Sequence, residues 1–199
     1  MKCPALFFLV AIVVSGCVND CQNDGAEALY YRKLFEAGRR AERKGDVKIA
    51  QDTYTWLAGH ECCCGEYGLA MLLLGSEPGS QEAVGHLLSC AKRSSCSSWP
   101  ADPVMNSAFS AAAMAELAGI AISRLDRPDV AASLYCMMSD IITPQVYAWT
   151  EEMMADADSA TIYSDIISVV EANRHNREYA KVLKWSEICE AFLAKGVTE

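Results

Sequence analysis

Three adjacent cysteines stand in "GHECCCG" (Gly59 to Gly65), and farther along His86 and Cys90 lie four residues apart, on one face of a helix. Soft sulfur and imidazole donors in that number are zinc chemistry. Four of them, for instance His60, Cys63, His86 and Cys90, could close a tetrahedral site. The paired, closely spaced ligands of zinc knuckles are missing. A reactive centre at Cys62 to Cys64 is the related reading, and it would make the chain an enzyme or a metal or redox protein.

Other chemistries find less. Asp156, Asp158 and Asp165 in "ADADSATIYSD" begin like a calcium loop, but no Gly stands at the sixth position and no Glu at the twelfth. Asp158-Ser159 ahead of an amphipathic stretch reads instead as a helix N-cap. The histidines are His60, His86 and His175, and there is no G-x-S-x-G elbow, no phosphate-cradling glycine loop and no H-E-x-x-H. Carboxylate pairs such as Glu151-Glu152 read as solvated charge, which leaves a helical glycosidase with unrecognised carboxylates as the remaining enzymatic option. No catalytic residue, metal or cofactor is assigned. Trp56, Trp99, Trp149 and Trp185, with eight tyrosines, suit either aromatic anchors on a binding surface or filling between helices.

What the cysteines do depends on the compartment, and the N-terminus speaks to that. Lys2, an apolar run from Ala5 to Val14, and the small residues Ser15 and Gly16 before Cys17 form the three parts of an export signal. A membrane span needs about 20 predominantly apolar residues, and Asn19 and Asp20 end this run too early. Val14-Ser15-Gly16-Cys17 resembles the lipobox of bacterial lipoproteins. The resemblance implies removal of residues 1–16 as a lipoprotein signal peptide and a diacylglycerol thioether with further acylation on Cys17. Two or more acyl chains anchor stably where a single chain is marginal. The rival is a secreted chain cut nearby by ordinary signal peptidase, with Cys17 in a disulfide. Either way, export makes disulfides the default for Cys21, Cys62, Cys63, Cys64, Cys90, Cys96, Cys136 and Cys189, with Cys21, Cys96, Cys136 and Cys189 open to stapling the ends or to packing as small buried hydrophobes.

Removing residues 1–16 leaves 183 of 199 residues and moves the net charge from −9 to −10, because Lys2 is the one charged residue lost. That length suits a short tether over 17–26 and a single helical domain over 27–199. The acidic balance opposes nucleic acid and anionic lipid headgroups, so no nucleic-acid partner is expected and the membrane is met through the anchor.

Nearly everything after Asp24 has apolar residues at three- and four-residue spacing, which makes the fold class all-α. Punctuation falls at Lys44 to Asp46, His60 to Gly65, Gly75 to Ser80, Ser94 to Pro103, Asp126 to Asp129, Thr143-Pro144, Asp156 to Ser159 and His175-Asn176, which predicts about nine helices. Phe35 to Leu57 also lies over a later segment with a uniform offset of 81: Ala37 and Gly38 meet Ala118 and Gly119, Ala41 meets Ile122, Ala50 meets Ala131, and Tyr54 meets Tyr135. A looser copy between them puts Ala83, Leu87 and Cys90 at the places of Ala50, Tyr54 and Leu57. Small residues at fixed places let paired helices approach closely, and pairs that cannot bury their faces alone stack into a solenoid.

This pattern resembles tetratricopeptide repeats over residues 31–64, and "YGLAMLLLG" with "EAVGHLLSCA" is similar to the Sel1-like variant. The final stretch "NREYAKVLKWSEICEAFLAKG" reads only as a last helix, and an irregular helical bundle is the competing architecture. The resemblance implies a scaffold for a protein or peptide partner in the cell envelope, rather than an enzyme. Its groove would be lined by first helices over residues about 27–43, 64–74 and 104–124. It also implies a staple within the middle pair, Cys64 or Cys63 with Cys90, closing a loop of about 26 residues and stabilising by roughly 3 kcal/mol.

Overall fold

The computed structural model describes residues 24–92, 103–142, 144–146, 148 and 183–194. The positions of the expected signal and lipobox (residues 1–16 and Cys17), Cys21, Cys96, the acidic stretch from Asp156 to Asp165, Trp99, Trp149 and His175 lie outside the described residues.

Seven helices have described bounds: α1 (Asp24–Arg43), α2 (Val47–Gly59), α3 (Cys63–Ser76), α4 (Gln81–Lys92), α5 (Pro103–Ser123), α6 (Pro128–Ile141) and α7 (Trp185–Ala194). No strand occurs among the described residues, so the fold is all-α. The breaks fall at residues that resist helix. Gly45 adopts φ +80 after α1 and Asp126 adopts φ +50 after α5, a left-handed conformation that stops a helix. Pro128 opens α6, where its missing N–H costs nothing.

Turns of three or four residues join α1 to α2, α2 to α3, α3 to α4 and α5 to α6, and each helix packs on its sequence neighbour. Antiparallel hairpins result. The first members of successive hairpins also touch, α1 on α3 and α3 on α5. Phe109 of α5 joins them: its ring centroid lies 4.7 Å from Phe35 of α1 and 5.6 Å from Tyr67 of α3. α7 closes on α4, with Gln81 Nε2 donating to the Phe192 carbonyl at 3.3 Å. α5 is long and apolar enough to cross a bilayer, but most of it is buried within the bundle, as suits a core helix.

Tyr54 of α2 is the wedge of the first hairpin. Its ring is fully buried between Gly38 of α1 and Gly68 of α3, and a Cβ on either glycine would come within 2.6 Å of it. Its hydroxyl donates to Glu42 Oε2 at 3.1 Å, and burial, assisted by the Glu42 charge, pushes the phenol well above its usual range.

The offset of 81 holds in α6 but not in α5. α2 and α6 start 81 residues apart, whereas α1 and α5 end 80 apart, because the turn after α5 has four residues and the turn after α1 has three. One extra residue rotates a helix by about 100° against its hairpin partner. Ala50 and Ala131 are accordingly both buried, while Gly38 is buried and Gly119 is exposed. Ala41 is buried and Ile122 is 53 % exposed. The inward positions of α5 are Ala118 and Ala121, each one residue earlier than the uniform offset places it. In the middle hairpin Ala83, Leu87 and Cys90 are as fully buried as Ala50, Tyr54 and Leu57.

Candidate functional site

At the head of α3 the cysteines pair among themselves. Cys63 is bridged to Cys90, with 4.7 Å between Cα atoms, and Cys62 to Cys64, with 5.3 Å. Of the two partners left open for Cys90, the structure takes Cys63 rather than Cys64. Neighbouring residues on a helix point about 100° apart, so only one of them faces α4. Asn106 of α5 supports this corner by accepting the Cys63 N–H at 3.3 Å. All four bridged cysteines are fully buried.

The zinc set named from the sequence is not assembled. Cys63 and Cys90 are consumed in the bridge, His60 stacks on Trp56 with ring centroids 3.7 Å apart, and His86 is engaged elsewhere. Among the described residues no group of three or more His, Cys, Asp or Glu side chains is placed to hold a metal. The free cysteines of the described residues are Cys136, buried on α6, and Cys189, half-buried on α7. Burial pushes the Cys189 thiol up, opposite to the lowered value that activates a nucleophile.

His86 belongs to a polar network the sequence reading missed. Glu66 of α3 is buried, and its two carboxylate oxygens are met by two side chains of α4: His86 Nδ1 at 2.6 Å from Oε2, and Ser89 Oγ donating to Oε1 at 3.1 Å. A buried carboxylate demands such partners. An ionised Glu66 would only accept, which would place a proton on Nδ1; Nε2 is turned toward Glu82 of the same helix at 3.9 Å. The pair therefore locks α3 and α4 in register beside the bridge. The hint in the sequence was a lone Glu in the otherwise apolar α3 segment.

A groove of about 480 Å³ opens between the C-terminal halves of α3 and α5. Met71 and Leu74 of α3 and Ile120 of α5 supply apolar walls, and Gly75 and Gly119 bring bare backbone to the surface. Neither glycine has an atom within 4 Å of where a Cβ would stand. Glu116, Ser123 and Arg124 form the polar edge, and Arg124 Nη1 donates to the Pro78 carbonyl, tying α5 to the turn after α3. Apolar walls with a few oriented polar groups suit the side chains of an incoming peptide. The lining residues fall in 64–74 and 104–124 or, for Gly75, just beyond, and none comes from the stretch 27–43.

No family model matches this chain, and no curated protein or solved structure matches it.

Proposed function

We propose that this chain is a bacterial lipoprotein of the cell envelope, anchored through Cys17 and facing the periplasm or the exterior, whose helical hairpins form a tetratricopeptide- or Sel1-like repeat scaffold for a protein or peptide. The groove between α3 and α5 carries the reading: it lies between first helices of successive hairpins, and those helices touch in the order α1, α3, α5. That order is what a repeat array requires, with each unit contacting its neighbour. The buried bridge between Cys63 and Cys90 supports an oxidising compartment, and the apolar run ending at Cys17 supports the anchor. An enzyme or metal protein built on Cys62 to Cys64 fares worse, since bridged thiols neither ligate nor attack.

A photo-crosslinking amino acid placed singly at Met71 or Ser123, in cells, tests the groove. The same discrete adduct from both positions, and none from exposed Thr55 of α2, is the expected result. Equal labelling from Thr55 contradicts the groove as the binding surface.

A further inference from the structure

The acidic total conceals a local inversion. Residues 29–50 hold seven of the 17 Lys and Arg residues but three of the 26 acidic ones. Two of those three, Glu36 and Glu42, are spent inside α1 on Arg32, Arg39 and Arg40. Lys33, Arg43, Lys44 and Lys48 are exposed, with Asp46 exposed among them and Lys48 lying 4.0 Å from the exposed Asp52 one turn on, which leaves the patch cationic on balance. Among them the turn into α2 presents Val47 and Ile49, each 54 % exposed. Ile49 and Trp56, seven residues apart, share the outer stripe of α2, and Tyr30 of α1 meets the Trp56 ring edge-on at 6.0 Å.

Exposed aliphatic residues set among lysines, with Trp and Tyr alongside, match what a bilayer interface accepts: apolar groups enter the boundary of the acyl chains, cations meet lipid phosphates, and aromatic rings sit at headgroup level. A symmetric dimer through this face would set the cationic patch against itself. We propose that the turn end of the α1–α2 hairpin docks on an anionic phospholipid surface, with Val47 and Ile49, which splay to opposite sides of the first turn of α2, inserted beside Lys44 and Lys48. The acidic remainder of the chain, repelled by the same lipids, is turned away, so the contact orients the scaffold. Six residues separate Cys17 from Asp24, a reach of about 20 Å when extended, so the first hairpin is the part the anchor holds closest. That last point rests on the anchor reading, while the charge and exposure do not.

The test is lysine acetylation footprinting of the full chain, read by peptide mass spectrometry. It is run in detergent, on vesicles of phosphatidylglycerol with phosphatidylethanolamine, and on phosphatidylcholine vesicles. Labelling at Lys44 and Lys48, relative to exposed Lys184 ahead of α7, should fall about fivefold on the anionic vesicles alone. A Val47→Asp, Ile49→Asp double variant, benign to the fold at two exposed sites, should restore it. Equal labelling in all three conditions, or equal protection on phosphatidylcholine, overturns the proposal. So does lipid-independent protection that grows with protein concentration, which would assign the face to a second copy. The intact mass of the same sample reports whether Cys17 is acylated, so a missing anchor is not mistaken for a missing surface.

Discussion

The hairpin of α1 and α2 and the hairpin of α5 and α6 share a sequence pattern and use it differently. In the first, Gly38 lets the Tyr54 ring seat against α1, and the interface is closed. In the other, the extra residue in the turn has swung Gly119 out of the interface, the matching Tyr135 is only half-buried, and the bare backbone of Gly119 becomes part of a groove wall. One inserted residue thus converts a packing device into an opening. Between the two, α3 and α4 are fastened twice, by the Cys63–Cys90 bridge and by Glu66 with His86 and Ser89.

If the middle hairpin is the fixed unit against which the outer ones differ, its fasteners carry the largest effect. Replacing Cys63 and Cys90 together by Ala should cost about 3 kcal/mol in urea unfolding, chiefly by freeing a loop of sequence separation 27 in the unfolded chain. The glycines sharpen the contrast between the outer hairpins. Gly38→Ala forces Tyr54 or α1 to shift and should destabilise by about 1–3 kcal/mol, whereas Gly119→Ala meets open space and should stabilise by about 0.5–1 kcal/mol. Equal shifts of the two unfolding midpoints would erase the proposed difference between the hairpins.

The smallest effect at neutral pH is expected from Tyr54→Phe, about 1 kcal/mol for the bond to Glu42. Its signature lies in alkali. The native phenol stays protonated above its ordinary value near 10, the unfolded one does not, and stability therefore falls as pH rises through that range. The Phe variant should lose that share of the slope, measured as the difference between the two urea-unfolding series.

Much of the helical framework was legible because its punctuation is local. Gly45, the turn at Glu77 to Ser80 and Pro128 each stop or start a helix through their own backbone chemistry or that of near neighbours. The burial of Ala50, Tyr54 and Leu57 and of Ala83, Leu87 and Cys90 in α4 agrees with the apolar spacing that aligned the two segments. What escaped depends on helix phase and on contacts far apart in the chain. The choice of Cys63 over Cys64 turns on one residue's rotation, and so does the exposure of Gly119. The same-face spacing of His86 and Cys90 suggested shared ligation, yet the hairpin gives His86 to Glu66, 20 residues earlier, and Cys90 to Cys63. Arg124 reaching to Pro78 had no signal in residue spacing.

The most direct test of the central claim is the intact mass of the chain made with its own N-terminus in a bacterial host, beside a Cys17→Ala variant, each with and without reductant. The expected result is a wild type beginning at residue 17 with added acyl mass, a variant without it, and a reductant shift that includes the two bridges among Cys62, Cys63, Cys64 and Cys90. A chain that keeps residues 1–16 and has every thiol free contradicts both the anchor and the oxidising compartment, and returns the cysteine cluster to candidacy as a metal or redox centre.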